Sequence, residues 1–189
     1  MQPAMKVVVI IPAAGLGTRM TSVSDARSKK PAASKQFSEI GGTPILIHTL
    51  RKFASSPEVG EIYVALRANE IAGFRARLQA DADLSRKRIE LVEGGEHRQQ
   101  SVANAIAAVS ADANDIVLVH DAVRPFVTPE IIHDVIAAAR KYGAAIAGMP
   151  AMDTIKEVQR TAEGAVVTAT LPRERVVMAK RHRVFGTVC

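Results

Sequence analysis

The residues with the clearest chemical use follow the apolar run Val7 to Ile11 and Pro12: Ala13-Ala-Gly15-Leu-Gly17-Thr-Arg19 joins a permissive backbone to a fixed positive charge. Glycines flanked by alanines let a backbone approach a ligand closely, and exposed N–H groups there hold phosphate oxygens. A guanidinium in the same loop suits a nucleoside triphosphate. The pattern is not a Walker A loop, because no Gly-Lys-Ser/Thr follows the glycines. Nor is it a full dinucleotide fingerprint, since Met20 stands where Gly or Ala is required. Taken alone, such a segment is more often a plain turn between a strand and a helix.

Three further segments place polar residues after apolar runs. They are Gly94-Gly-Glu-His-Arg-Gln-Gln-Ser101, His120-Asp-Ala-Val-Arg-Pro125 and Met152-Asp-Thr-Ile-Lys156. Each has a plain structural explanation: Ser101 as a helix cap, His120 as a satisfied core histidine, Arg124 as the partner of Asp121. In a parallel sheet, however, all of these loops and the Gly15 loop lie along one edge. That is where open α/β folds bind ligands.

The elements expected to position them alternate. Short apolar runs at Val7 to Ile11, Glu61 to Leu66, Ile89 to Glu93, Ile116 to His120 and Ala144 to Met149 read as buried strands. Helical stripes run over Pro44 to Phe53, through Ile71, Phe74 and Leu78, over Ser101 to Val109, and over Thr128 to Tyr142 with Thr128 as N-cap. The order predicts a doubly wound α/β domain over 1–189. Residues 153–171 alternate apolar and polar around Gly164, the pattern of an antiparallel hairpin. A hairpin cannot bury its apolar face alone, so 153–171 is expected to be a dimerisation arm.

Composition narrows the class. The chain has 189 residues, 48% apolar and 23% charged, as in a globular protein. No apolar run reaches membrane-spanning length, and the amino terminus is expected to carry no secretory leader. The single cysteine, Cys189, excludes an internal disulfide and suits a reducing compartment, so a cytoplasmic location is expected. The net charge of +6 clusters at Arg27 to Lys35, Arg86 to Arg88 and Arg173 to Arg183, without interleaved aromatics for base stacking. That distribution argues against nucleic acid; small anionic substrates explain the charge equally well, and some of it is solvated surface.

Pro12 to Met20, Lys35-Gln-Phe37, Gly42-Thr-Pro-Ile45, Gly94-Gly95 with Arg98 and Ser101, and His120 to Pro125 occur in one order. Together they resemble the 2-C-methyl-D-erythritol 4-phosphate cytidylyltransferase family over roughly residues 6–179. The resemblance implies a Rossmann-like nucleotidyltransferase fold, a mostly parallel twisted sheet flanked by helices with a protruding β-hairpin arm. It also implies a homodimer, Mg²⁺ dependence, and transfer of CMP from CTP to a sugar-alcohol phosphate with release of pyrophosphate. By that resemblance Arg19 and Lys35 are catalytic. Ala13, Ala14, Gly15, Gly95, Glu96, Ser101, Asp121 and Ala122 face the nucleotide, and Asp121 also the metal. Thr154 and Arg173 bind the acceptor phosphate, partly across the dimer.

The chain departs from the family in two places. The connection Thr21 to Ser34 is longer than usual and contains Lys30 before a proline, a rival to Lys35. Lys35 is preferred because Gln36-Phe37 follow it. After Ala179 the basic segment Lys180 to Cys189 replaces a Thr-Pro-Gln-aromatic segment, and a sheet strand and an acceptor lysine are expected to be missing. The alternatives to methylerythritol phosphate transfer are therefore a ribitol 5-phosphate cytidylyltransferase and a nucleotide-binding dimer without turnover.

Overall fold

The computed structural model describes residues 5–15, 34–110, 112 and 114–186, with side chains through residue 179. In chain order the first elements are β1 (Val7–Pro12), a 3₁₀ turn (Lys35–Phe37), β2 (Glu39–Ile40), β3 (Thr43–Pro44), α1 (Ile45–Ala54) and β4 (Glu61–Leu66). Next come α2 (Ala68–Ala80), β5 (Arg88–Glu93), α3 (Arg98–Ala108), β6 (Ile116–Val119) and α4 (Pro129–Tyr142). The last are β7 (Ala144–Pro150), β8 (Ile155–Thr161), β9 (Gly164–Leu171) and β10 (Val177–Gly186).

The central sheet has the order β5-β4-β1-β6-β10-β7. Pairing is parallel from β5 through β4 and β1 to β6, while β10 runs antiparallel to both β6 and β7. β7 therefore points the same way as β1, and the loops after β1, β4, β5, β6 and β7 share the carboxyl edge. Strand periodicity divides the core. Val7, Val9 and Ile11 face the large cluster with Leu46, Leu50, Phe53, Phe74 and Ile136 from α1, α2 and α4. Val8 and Ile10 face Tyr63 and Ala105, so α3 covers the opposite face. Among the described residues no helix is long and apolar enough to cross a membrane.

The expected strands and helices recur with instructive shifts. Pro44 holds the cap position before α1 rather than its first helical residue. α3 begins at Arg98, so Ser101 lies inside the helix and is not its cap. Arg98-Gln-Gln offers no apolar signal, which hides that first turn from a periodicity reading. Thr128 does cap α4, accepting from the Ile131 N–H at 3.4 Å, and Gly143 closes the helix with a left-handed φ of 83°. β7 is not the buried core strand expected of its apolar run. It is an edge strand, with Ala145 and Ala147 against the core and Ile146 between them 55% exposed.

The sheet strand expected to be missing after Ala179 is present as β10. Arg183 to Gly186 register against Val119 to Ile116 of β6, with a bulge between Ala179 and Arg183 on the β7 side. Strand pairing runs through backbone groups, so basic side chains do not prevent it. β8 and β9 form their own two-stranded sheet, as the hairpin pattern predicts.

Candidate functional site

The chain leaves β1 through Ala13 and Ala14, both buried, to an exposed Gly15. The Ala13 N–H donates to the Ala65 carbonyl at 2.7 Å, extending the β1–β4 pairing to the sheet's edge. Arg19, Gly17 and Lys30 lie outside the described residues. The chain is described again at Ser34, and the turn that follows presents Lys35.

That turn is tied to the edge. The buried Gln36 amide donates to the Ala13 carbonyl, and the Phe37 ring tilts against Phe74 with centroids 5.8 Å apart. Lys35 is thereby set beside the glycine loop, partly exposed, with no ion pair or side-chain hydrogen bond among the described residues. A cation without a partner among the described residues is available to an anionic ligand.

Gly94 and Gly95 form the neighbouring wall. Gly94 donates to the Leu66 carbonyl at 2.7 Å, and a Cβ built on it would fall 2.5 Å from the Ala14 Cβ. The two loops thus touch where any larger residue would part them. Ser101 is 2% exposed, and its hydroxyl accepts from the Gly95 N–H at 3.1 Å. Glu96 is exposed, and its N–H donates to the Gln100 amide oxygen at 3.2 Å. Ser101 therefore shapes the loop that presents Gly95 and Glu96.

The loop after β6 brings charge. Asp121 accepts on Oδ1 from Arg98 Nη2 at 3.0 Å and on Oδ2 from Arg124 Nε at 3.1 Å. Two guanidiniums around one carboxylate leave the cluster net positive. His120 is a satisfied core histidine: its Nε2 donates to the Arg124 carbonyl at 3.0 Å and its ring meets Phe53 edge-on at 4.7 Å. The Ala122 carbonyl accepts from the Thr49 hydroxyl at 2.9 Å, fastening this loop to α1.

Thr154 and Arg173 flank the base of the hairpin, whose strands pair from Ile155 with Leu171, and Arg173 Nη1 donates to the Met152 carbonyl at 3.3 Å. Both follow β7 in the chain, and β10 stands between β7 and β6, so they form a second, more exposed group at the β7 end of the sheet. Among the described residues no set of three His, Cys, Asp or Glu side chains could hold a metal. A resident metal centre does not fit the described residues, but a Mg²⁺ ion carried by a triphosphate needs only one or two carboxylates. Oδ1 of Asp121 accepts from both Nε and Nη2 of Arg98, but Oδ2 accepts only from Arg124 and keeps a lone pair, so Asp121 fits that role through Oδ2.

Gln36, Arg67 and Gly94 also build this site; Gln36 and Gly94 belong to the quoted motifs but were given no role, and Arg67 was not singled out from the sequence. Gly94 carried a signal in its glycine pair. The other two bond backbone carbonyls across the sheet, which leaves no mark in local sequence.

The profile of the 2-C-methyl-D-erythritol 4-phosphate cytidylyltransferase family matches residues 7–187, past the point where the chain was expected to diverge. The chain is 52% identical to the enzyme of that name from Acidobacterium capsulatum, over 96% of this chain and 73% of that protein. It is 49% identical to the one from Solibacter usitatus, over 96% of this chain and 72% of that protein. The crystal structure of the Francisella tularensis enzyme superposes with a TM-score of 0.70 at 30% identity, covering 96% of this chain and 72% of that one.

Proposed function

Because the chain belongs to the 2-C-methyl-D-erythritol 4-phosphate cytidylyltransferase family, we propose that its strand-end loops bind CTP and direct its CMP onto the acceptor phosphate. The chain is a nucleotidyltransferase of isoprenoid precursor synthesis by the non-mevalonate route. An oxygen of the acceptor's phosphate attacks the α-phosphorus, the bond to the bridging oxygen breaks, and pyrophosphate leaves. The nucleophile is already ionised, so no protein base is needed. What the protein must supply is alignment and positive charge.

Lys35 and Arg19 supply that charge in this reading, at the α-phosphate and the departing pyrophosphate. The backbone of Ala13, Ala14 and Gly15 lies along the nucleotide. Gly95 and Glu96, held by Ser101, meet the cytosine and ribose, while Asp121 and Ala122 border the ribose. Asp121 would hold Mg²⁺ together with the triphosphate, and the ion when bound adds charge neutralisation and orientation. Thr154 and Arg173 receive the acceptor phosphate, and the molecule works as a cytoplasmic homodimer joined through its arm.

The observation that carries the reading is the Gln36 bond to Ala13, which ties the turn bearing Lys35, without a partner among the described residues, to the start of the glycine loop. Relatives at 52% and 49% identity bear the methylerythritol phosphate name, which favours that acceptor over ribitol 5-phosphate. Pyrophosphate release from CTP and Mg²⁺ with each acceptor in turn tests the assignment. Release with methylerythritol phosphate is expected. CTP binding without release under any acceptor would instead establish the binding-only reading. Arg19→Ala should lower kcat by about 100-fold with an unchanged melting temperature, and equal loss of fold and turnover would remove its catalytic role.

A further inference from the structure

Arg67, directly after β4, reaches two segments far apart in the chain. Its Nε donates to the Ala14 carbonyl at 3.2 Å, and its Nη2 donates to the Ser34 hydroxyl. Ser34 is itself buried and donates to Glu70 Oε1 at 2.8 Å, while the other oxygen of Glu70 accepts from the Arg67 backbone N–H at 3.4 Å. Arg67, Ser34 and Glu70 thus form a closed polar network at the start of α2. One planar guanidinium grips Ala14, at the start of the β1 loop, and the residue immediately before Lys35. A lysine could not do both, because its ammonium is a single point rather than a rigid fork.

The contacts have a consequence for chemistry. The Ala14 carbonyl belongs to the loop that faces the nucleotide, and Ser34 fixes the entry to the turn that presents Lys35. Their relative position decides how far the ammonium stands from the α-phosphorus. We infer that Arg67 is a positioning residue for cytidylyl transfer, joining the β1 loop and the Lys35 turn into one rigid unit. The inference rests on the cytidylyltransferase reading for its kinetic effect, but the mechanical link stands without it. Gln36 makes the second bond between the same two segments, so losing Arg67 loosens the unit without releasing it.

A double-mutant cycle on the full chain tests this. Arg67→Ala should lower kcat by about 10- to 100-fold, the scale expected of a misplaced catalytic group, with the KM for CTP changed much less. Because Arg67 acts through Lys35, adding Arg67→Ala to Lys35→Ala should cost no more than about twofold further. Arg67→Lys should fall between wild type and Arg67→Ala. Multiplicative losses in the double variant would overturn the inference. Hydrogen exchange gives a readout free of turnover: Arg67→Ala should speed exchange in residues 34–38, and unchanged exchange there would equally overturn it. Should Arg67→Ala fail to fold, Ser34→Ala removes one arm of the grip and must move the same peptides. A wild-type chain that turns over no acceptor would sink the cytidylyltransferase reading, and exchange would still decide the link.

Discussion

Gly94 shows how tightly the nucleotide wall is drawn. A methyl group there would meet the Ala14 Cβ at 2.5 Å and the Ser101 hydroxyl at 3.0 Å. Neither neighbour can swing away: Ala14 has no rotamer, and Ser101 lies on a buried turn of α3 with its hydroxyl bonded to Gly95. The backbone at Ala14 must therefore move, and with it the loop proposed to face CTP. Gly94→Ala should cost about 1–3 kcal/mol of stability, the usual range for overpacking. It should also weaken CTP binding, measured by calorimetry on the folded fraction. A variant with wild-type affinity would show that the loop's position is not set by this contact. At this scale the sequence exposed the glycines, the arginines and the strand-end carboxylate, because those types are chosen for what they present to a ligand. It hid Arg67, whose partners at Ala14 and Ser34 are brought near only by folding, and it marked Gln36 only as the neighbour of Lys35. Ser101 read as a cap because its hydroxyl suits one, yet the same hydroxyl serves the Gly95 loop from within a helix.

Among the elements, β4 was legible to the residue. Glu61 to Leu66 is a short apolar run after Gly60, and every one of its residues is buried. Its one phenol reports on the packing. Tyr63 faces Ala105 of α3, and its hydroxyl donates to Glu61 Oε2 at 3.3 Å. Burial, then the charge of Glu61, raises its pKa above the ordinary value of 10.0. The sign follows from linkage: a group that holds its proton more tightly when folded adds stability below pH 10.0, lost as pH rises through its folded value. Denaturant midpoints should accordingly fall above about pH 10 in the wild type and fall less in Tyr63→Phe. Identical alkaline slopes in the two proteins would refute the assignment. Lys87, whose pKa burial lowers, changes stability in the opposite sense as pH rises, and both proteins share it. β7 and β10 were read less well for a common reason. An apolar run announces a strand without saying how many faces are covered, and basic residues do not forbid backbone pairing. Ile146 is exposed because β7 is an edge strand, a fact of topology that composition does not carry.

The whole molecule leaves apolar surface uncovered at one end. In the hairpin, Val158 and Val167 face each other across the strands at 45% and 56% exposure, and Val166 is 60% exposed. A two-stranded sheet is marginal in water without a covering surface, yet this one projects through eight-residue β9 with almost no buried position. Exposed Ile146, Met149, Met152, Val177 and Met178 lie on the nearby edge of the main sheet and at the arm's base. A second copy of the chain, offering the same arm and edge, would cover both under twofold symmetry. Thr154 and Arg173 stand at the root of the arm, so pairing of subunits would bear directly on the acceptor site. The wild-type chain should sediment as a dimer of its 20.2 kDa protomer. Val158→Asp with Val167→Asp sets two like charges directly opposite each other and should yield a monomer, since a buried apolar seam does not accept them unpaired. CTP binding, proposed to fall to loops of the central sheet, should survive in that monomer, whereas turnover with the acceptor should drop. If the wild type sediments as a monomer, or the double variant stays dimeric, the arm is not the joint. If the monomer turns over at the wild-type rate, the acceptor site is complete within one subunit and the arm serves assembly alone.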